Sequence, residues 1–245
     1  MNWQPAGQIY QARFATVMTG DGSPTIRDLG TANQECMHHS RGAYQETQYV
    51  YGEAIRAVIK ACPNPHFLVV GLGLGYIEIL IACEWLKSQQ SGHCQVISFE
   101  AESYWRDQFQ HWLVGEPCEI HSIYQLRDDK YQQDYPAEMP QVRAWIRQHL
   151  TLEKELTYLP PWQNRIQGIL FDAYSAKTSQ ELWQEDYLIK LLEYYSAEQC
   201  LFVTYASTGR LKRALKAAHF TLHYRPGFHG KKESTWATKN LKAQP

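Results

Sequence analysis

The sequence predicts an α/β protein whose twisted central sheet is mostly parallel, with helices on both faces. Two observations carry this prediction. From about residue 66 onward, short apolar runs typical of covered strands alternate with stretches of helical periodicity. The first run leads directly into three spaced glycines and then a helical stretch, which is the layout of a nucleotide-binding unit.

Four apolar runs are predicted as parallel strands, and a helix follows each of them. The strands are 67–70, 94–99, 166–171 and 200–205, and the helices are 77–86, 104–113, 181–195 and one with an apolar face of Leu211, Ala214, Leu215 and Ala218. Strands that alternate with helices in this way usually pair in parallel. Residues 220–224 and 234–238 resemble a closing antiparallel pair, whereas the polar stretch 124–161 predicts no particular element.

The first sixty residues have a different pattern. The run Asp21-Gly22-Ser23-Pro24 has turn chemistry, so it predicts a β-hairpin over about 10–26. A helix over 44–60 follows it. The predicted organisation is therefore a hairpin and helix extension, 1–60, on a core domain, 61–245.

Composition narrows the class of protein. A chain of 245 residues, 44% of them hydrophobic, suits one compact domain with a sizeable core. Its first ten residues lack the basic start and apolar run of a signal peptide, and no stretch approaches the roughly 20 apolar residues of a membrane helix. The six cysteines form no Cys-x-x-Cys pair, which favours reduced, buried thiols over a zinc site. We therefore expect a cytoplasmic protein with no membrane partner and no metal.

The net charge of -1 conceals an asymmetry. Residues 208–245 hold nine Lys or Arg and one acidic residue, so the remainder of the chain is acidic. A basic end on an acidic body suggests a polyanionic partner. A solvated terminal helix and tail would produce the same pattern, and charge by itself leaves both open.

The glycine loop, Gly71-x-Gly73-x-Gly75, indicates a nucleotide-like ligand. Glycines let the backbone turn tightly and approach a ligand closely. The full dinucleotide pattern is not met because Tyr76 follows Gly75, and the absence of Gly-Lys-Ser/Thr excludes a phosphate-binding P-loop.

Acidic residues close two of the predicted strands. Glu100 stands where a carboxylate accepts hydrogen bonds from ribose hydroxyls, whether of S-adenosylmethionine or of NAD. Asp172 and Tyr174 lie at the end of a later strand. Methyl transfer to an amine needs an aromatic wall and a group that accepts or orients the proton, which these two side chains could supply. The alternative for both carboxylates is helix capping.

In their order and spacing, these segments resemble the methyltransferase of the MnmC family, which completes the wobble-uridine modification of tRNA. The matching segments are Asp21 to Thr25, Ser40 to Tyr51, the glycine loop, Ser98 to Glu100, Asp172 to Ser175 with Glu181 to Trp183, Thr204 to Arg213 and Gly227 to Glu233. Two of them differ at an aromatic position. The family's Glu-Thr-x-x-Val-Phe ends here on Tyr51, and its Asp-Ala-Phe-Ser has Tyr174 as the aromatic residue.

The resemblance implies a class I, Rossmann-like methyltransferase that uses S-adenosyl-L-methionine. It would methylate the amine of 5-aminomethyl- or 5-aminomethyl-2-thiouridine in the tRNA anticodon, with Asp172 and Tyr174 as catalytic residues. The cofactor-binding residues would be Glu46, Gly71, Gly73, Gly75, Glu100 and Asp172. The residues expected to grip RNA phosphates are Arg210, Lys212, Arg213, Lys231 and Lys232. Tyr174 or Phe228 would stack on the splayed base.

The chain also departs from the family pattern. Many members carry a fused oxidase, and this chain ends before one could begin, so we expect a free-standing domain that depends on a separate enzyme to supply the aminomethyl group. Two prolines near the catalytic loop are replaced by Ala176 and Gln180, which predicts a less rigid loop. The usual Gly-Asp ahead of the fourth strand is missing, and Glu153 or Glu155 are the candidates for holding adenine in its place.

Three other functions remain open from the sequence. One is a methyltransferase for another amine or nucleic acid. A second is a methyltransferase-like module that binds RNA without catalysis. The third, a NAD-dependent dehydrogenase, would require the third glycine one position later.

Overall fold

The structure is a computed structural model that describes residues 9–156 and 162–245. The parts of our expectations that concern residues 1–8 and 157–161 lie outside the described residues. In chain order, the strands are β1 (Ile9–Tyr10), β2 (Phe14–Met18), β3 (Pro24–Asp28), β4 (His66–Val70), β5 (Gln95–Phe99), β6 (Leu150–Glu153), β7 (Ile166–Phe171), β8 (Ser196–Thr204), β9 (Thr221–His223) and β10 (Thr235–Lys239).

Seven of these strands form one sheet in the order β6-β5-β4-β7-β8-β10-β9. The five from β6 to β8 are parallel to one another, and β10 runs antiparallel to both β8 and β9. The predicted mostly parallel α/β sheet and its antiparallel C-terminal pair are therefore confirmed. The chain leaves β4 towards β5 on one side and later returns to β7 on the other, which creates the switch point where such sheets bind ligands.

The helices are α1 (Ala43–Thr47), α2 (Glu53–Ala61), α3 (Tyr76–Ser88), α4 (Ser103–Val114), α5 (His121–Asp134), α6 (Met139–His149), α7 (Glu185–Tyr195) and α8 (Gly209–Ala217). They cover the sheet on both faces. Because neighbouring residues of a strand point in opposite directions, Phe67 and Val69 belong to one apolar cluster while Leu68 and Val70 belong to the other.

The predicted helix over 181–195 is interrupted. A short 3-10 turn, Gln180–Trp183, precedes α7, and the extended backbone of Gln184 (φ -71°, ψ 140°) separates the two. The buried indole of Trp183 donates a hydrogen bond of 2.6 Å to the carbonyl of Tyr174. This bond ties the turn to the segment that leaves β7.

The polar stretch 124–161, for which the sequence predicts no element, contains most of α5, all of α6 and the edge strand β6. Its helical pattern is obscure because the buried face of α5 includes charged residues. Arg127 is fully buried and Asp128 nearly so. A periodicity based on apolar residues does not register such a face.

The N-terminal extension is a three-stranded antiparallel sheet in which β2 and β3 form the predicted hairpin. The predicted helix over 44–60 is also present, but a π-helical turn, Gln48–Gly52, lies between α1 and α2. The hairpin turn supports the start of α1: the Asp21 carboxylate accepts the N–H of Gln45 (3.0 Å), and the Ser23 hydroxyl accepts those of Ala43 and Tyr44 (both 3.0 Å). The division of the chain at residue 60 stays a prediction.

All six cysteines are free thiols, and four of them are buried. None of the described helices has the length and apolar character required to cross a membrane. Within 9–156 and 162–245, no cluster of three or more His, Cys, Asp or Glu has the arrangement of a metal site.

Candidate active site

A cavity of about 650 Å³ opens at the carboxyl ends of the parallel strands. Its size lies within the roughly 300–1,000 Å³ of sites for small molecules and cofactors. Residues that directly follow β4, β5, β6, β7 and β8 line it, together with parts of the N-terminal extension. The extension therefore closes one side of a site whose floor is the switch point of the sheet.

The glycine loop lines the cavity next to Asp172, the predicted catalytic carboxylate. Gly71 has φ +100°, and a Cβ at this position would lie 2.6 Å from the Asp172 carbonyl oxygen, so no other residue fits without displacing that backbone. Gly71 and Gly73 both line the cavity, as predicted for cofactor-binding residues. Gly75 does not line it. Instead, Gly75 precedes α3 at φ +74° and packs against the ring of Phe109.

Glu100 lies at the end of β5 with its carboxylate in the cavity. One carboxylate oxygen accepts the N–H of Gly73 (3.0 Å), and the other accepts the N–H of Glu102 (2.9 Å). Burial raises the pKa of this carboxyl, although the two backbone donors oppose that shift. Since a carboxylate offers about four acceptor positions, Glu100 keeps capacity for two hydroxyl donors such as those of a ribose.

Asp172 directly follows β7, and its N–H donates to the Val70 carbonyl (2.8 Å). Its Oδ1 accepts a hydrogen bond of 2.5 Å from the hydroxyl of Tyr51. Burial raises the pKa of Asp172 well above the ordinary value of 3.8, whereas the bond from Tyr51 and the charge of Lys231 lower it. A carboxylate in this state is a stronger proton acceptor than one in water.

Tyr174 also lines the cavity. Its hydroxyl oxygen is buried and has no hydrogen-bond partner within the described part of the chain. Burial raises the pKa of this hydroxyl well above 10.0, so it is a neutral donor. A buried polar atom without a partner is costly, which indicates that a ligand atom or a water satisfies it.

Glu46 and Lys231 form an ion pair of 2.9 Å in the cavity. The second carboxylate oxygen of Glu46 accepts the N–H of His39 (2.6 Å), and the ammonium of Lys231 lies 5.0 Å from the centre of the Tyr205 ring. Glu46 is thus in the cavity, as predicted. Lys231, predicted to bind an RNA phosphate, is 37% exposed in its side chain, but it also lines the cavity and is paired there with Glu46.

The loop after Asp172 is held by a residue of the N-terminal extension that the sequence did not reveal. The carboxylate of Glu35 accepts the N–H of Ser175 (3.1 Å), the hydroxyl of Ser175 (3.0 Å) and the hydroxyl of Thr178 (2.5 Å). The expected loss of rigidity from the missing prolines is therefore offset by a three-bond clamp. No local motif could have identified Glu35, since it is 140 positions from Ser175 in the chain.

Replacing Glu35 by alanine should loosen this loop. The Glu35 carboxylate accepts three hydrogen bonds from the loop, so we expect the local free energy of opening of the loop to fall by about 1–3 kcal/mol. Amide hydrogen exchange of residues 175–179 should accelerate by roughly tenfold or more. The matched control is Glu116→Ala, which removes an exposed carboxylate outside the cavity. Equal exchange in both variants would show that Glu35 does not order the loop.

The segment after β6 includes one of the two residues suggested for holding adenine. Lys154, Glu155 and Leu156 line the cavity, whereas Glu153 does not. The carbonyl of Glu153 accepts the N–H of Glu100 (3.0 Å), so this residue contributes through its backbone. Of the two residues suggested for adenine, only Glu155 is thus at the cavity wall.

The remaining basic residues of the predicted RNA-binding group lie outside the cavity. Lys212 pairs with Glu233 at 2.5 Å and Arg213 pairs with Glu185 at 2.7 Å, while Arg210 and Lys232 are exposed. Phe228, one of the two candidates for base stacking, is only 6% exposed and packs against His39 and Tyr49. Its ring is covered in this structure.

Known proteins match the chain along most of its length. A family of S-adenosyl-L-methionine-dependent methyltransferases matches residues 124–240. The tRNA 5-methylaminomethyl-2-thiouridine biosynthesis bifunctional protein MnmC of Cupriavidus metallidurans is 22% identical over 90% of the chain, and that of Burkholderia vietnamiensis is 24% identical over 84%. The chain spans about a third (33%) of the length of each.

The fold also matches a solved structure. The crystal structure of MnmC2 from Aquifex aeolicus superimposes with a TM-score of 0.65 at 20% identity, covering 95% of this chain and 72% of that one.

The fold, the cavity and the family match over residues 124–240 together support an S-adenosyl-L-methionine-dependent methyltransferase, with S-adenosyl-L-methionine as its cofactor. The residues at the cavity fit S-adenosyl-L-methionine. The cavity is large enough, Glu100 has spare acceptor positions, and the Tyr174 hydroxyl has no hydrogen-bond partner among the described residues. More particularly, the chain is similar to MnmC proteins over most of its length, and its fold is similar to that of MnmC2 from Aquifex aeolicus.

Proposed function

We propose that this methyltransferase acts on a primary amine of tRNA, converting 5-aminomethyluridine or its 2-thio form at the wobble position to the 5-methylaminomethyl product. The observation that carries the proposal is Asp172, a carboxylate of raised pKa beside the glycine loop in the cavity. The MnmC relatives are proteins of tRNA 5-methylaminomethyl-2-thiouridine biosynthesis, which supports this choice of substrate.

The chain's own residues divide the work in this proposal. Gly71, Gly73 and Glu100 hold the cofactor, Glu100 through the ribose hydroxyls, and Glu46 lies close to it. S-adenosyl-L-methionine, when bound, supplies an electrophilic methyl group. Asp172 orients the aminomethyl group and takes up the proton that its ammonium form loses before the attack. The neutral amine then forms the new N–C bond as the S–C bond breaks, and the demethylated cofactor leaves. Tyr174 provides the aromatic wall and a hydroxyl donor.

The substrate amine must be uncharged when it attacks, so it has to lose a proton in the site. A carboxylate in water, with a pKa near 3.9, is a poor acceptor from an ammonium group. Burial of Asp172 raises its pKa and narrows this gap. The rate should therefore fall as pH decreases through the pKa of Asp172, at a higher pH than for an ordinary aspartate.

Basic residues of the C-terminal part suit the tRNA part of the proposal. Arg210 and Lys232 are exposed, and Lys212 and Arg213 form surface ion pairs that an RNA phosphate could replace. Lys231 is assigned a different place, at the reacting end of the substrate, since it pairs with Glu46 in the cavity.

Charge reversal at the exposed pair tests this surface. The double variant Arg210→Glu, Lys232→Glu should bind tRNA more weakly, and the slope of log K against log salt should fall by about one to two units. The control is Lys60→Glu with Lys87→Glu, which reverses two exposed charges in the last turns of α2 and α3. A salt slope unchanged from wild type in the first variant would assign these residues to solvated surface only.

Two further expectations belong to the same proposal. The aminomethyl group has to be made by a separate activity, because the chemistry derived for this cavity only transfers a methyl group. We also propose that the protein acts in the cytoplasm, where tRNA is modified.

Nucleoside mass analysis tests the proposed substrate in cells. In a strain deleted for this chain, wobble uridines should accumulate as the 5-aminomethyl form, and the wild-type gene should restore the 5-methylaminomethyl form. A gene carrying Asp172→Asn should not restore it. Normal 5-methylaminomethyl levels in the deletion strain would point instead to a different amine or nucleic acid as substrate.

A further inference from the structure

A tyrosine hydroxyl at the cavity wall donates a hydrogen bond to the proposed catalytic carboxylate. Tyr51 is 2% exposed, and its hydroxyl donates to Oδ1 of Asp172 at 2.5 Å. Oxygen-to-oxygen distances of about 2.5–2.7 Å are typical of a hydroxyl that donates to an ionised carboxylate. Among the described residues, no donor reaches the other oxygen, Oδ2, which is left for the substrate.

The backbone at Tyr51 is unusual. It lies in the π-helical turn Gln48–Gly52, a wider turn inserted between two α-helical segments. Such insertions shift the direction of the side chains that follow and are frequent at functional sites. Here the insertion places Tyr51 against the exit of β7, with its hydroxyl also 3.4 Å from the Phe171 carbonyl oxygen.

A buried arginine from the other end of the chain holds this turn. Arg225 is 4% exposed, and its guanidinium donates to the carbonyls of Val50 (2.7 Å) and Tyr49. The same group lies over the rings of Tyr49 (4.9 Å) and Trp236 (5.1 Å). Side-chain donors that reach the carbonyls of a helix are a recognised cause of its local distortion.

We propose that Tyr51 is a positioning residue for Asp172, and that Arg225 holds the π-helical turn that aims it. Tyr51 fixes Oδ1 and thereby directs Oδ2 at the substrate amine. This inference rests on the proposed role of Asp172. It goes further because it assigns the orientation and charge state of that carboxylate to Tyr51 and Arg225. The resembled family segment has phenylalanine at the position of Tyr51.

Several groups face Asp172 besides Tyr51. Glu46 and Glu78 oppose its negative charge, Lys231 favours it, and the hydroxyl of Tyr205 lies within electrostatic range. Burial and the two carboxylates disfavour ionisation, and Tyr51 with Lys231 counters them. Loss of the Tyr51 hydroxyl removes a donor to the charged form, so the carboxylate should ionise at a higher pH.

The test is Tyr51→Phe, followed by titration of Asp172 in the protein alone. Isotope-edited infrared spectroscopy of ¹³C-aspartate reports the carboxyl directly, and its signal is assigned by its absence in Asp172→Asn. The Tyr51→Phe variant should titrate at higher pH than wild type. In the methyl-transfer assay, kcat should fall about tenfold and the acid limb of the pH profile should shift the same way.

The matched control is Tyr131→Phe, which removes another buried tyrosine hydroxyl whose bond (2.6 Å) goes to the backbone of Tyr76. It should leave the Asp172 titration unchanged. Arg225→Lys keeps the charge but offers one donor atom in place of two, and it should shift the titration in the same direction as Tyr51→Phe.

If Asp172 titrated at the same pH in Tyr51→Phe as in the wild-type protein, the proposal would be overturned. The same result in Arg225→Lys would overturn the part that concerns Arg225. Because the titration needs no tRNA, an incorrect substrate assignment would leave this result intact and is recognised separately by absent transfer in the wild-type protein.

Discussion

Replacing Asp172 by asparagine should reduce the turnover of methyl transfer by about 10²–10⁴-fold, the usual contribution of a positioned acid or base. Asparagine keeps the shape and still accepts the bond from Tyr51, but it cannot take up a proton. The measurement is single-turnover methyl transfer to tRNA that carries the aminomethyl nucleoside. Binding of S-adenosyl-L-methionine, followed by calorimetry, should change far less than turnover.

The matched control is Asp134→Asn. This carboxylate also accepts a tyrosine hydroxyl, that of Tyr44 at 2.6 Å, but it lies outside the cavity. Turnover should remain near the wild-type value. If Asp172→Asn were as active as this control, Asp172 would have no part in the chemistry, and the site would have to be sought elsewhere along the cavity wall.

Replacing Arg127 by methionine should lower the free energy of unfolding by about 3–5 kcal/mol, the range for breaking a buried ion pair. The guanidinium is fully buried, pairs with Asp128 at 2.7 Å and lies over the rings of Trp112 and Tyr124. It also donates to the carbonyl of Leu74 in the glycine loop. Cofactor affinity should therefore weaken together with stability.

For Arg127→Met, urea unfolding measures the change in the free energy of unfolding, and calorimetry measures the change in cofactor affinity. Arg147→Ala is the control, since this exposed arginine makes one long hydrogen bond (3.3 Å) to the Leu113 carbonyl. Its effect should stay within about 0.5 kcal/mol. A similarly small effect for Arg127→Met would mean that α5 does not support the glycine loop.

The parallel sheet was predictable because its strands are covered on both faces. Runs such as 67–70 and 166–171 are continuous in apolar residues, and each ends in a loop of recognisable chemistry. Helix α5 was not predictable in this way. Its buried side includes Arg127 and Asp128, whose burial depends on Trp112 of α4 and on the glycine loop, and neither of these contacts is local.

The site was predictable where a residue directly follows a strand. Gly71, Gly73, Glu100 and Asp172 all line the cavity because the carboxyl ends of parallel strands meet at one edge. Residues brought in by tertiary packing were not. Lys231 and Lys232 are both exposed lysines, yet only Lys231 lines the cavity, because it forms an ion pair with Glu46, which is 185 positions away in the chain.

The central claim is that this cavity transfers a methyl group from S-adenosyl-L-methionine to the aminomethyl group of a wobble uridine. The most direct test is to incubate the purified protein with deuterated-methyl cofactor and tRNA bearing 5-aminomethyl-2-thiouridine, and then to analyse the nucleosides by mass spectrometry. We expect a labelled methyl group on the wobble nucleoside alone. Cofactor binding without label on that nucleoside would contradict it.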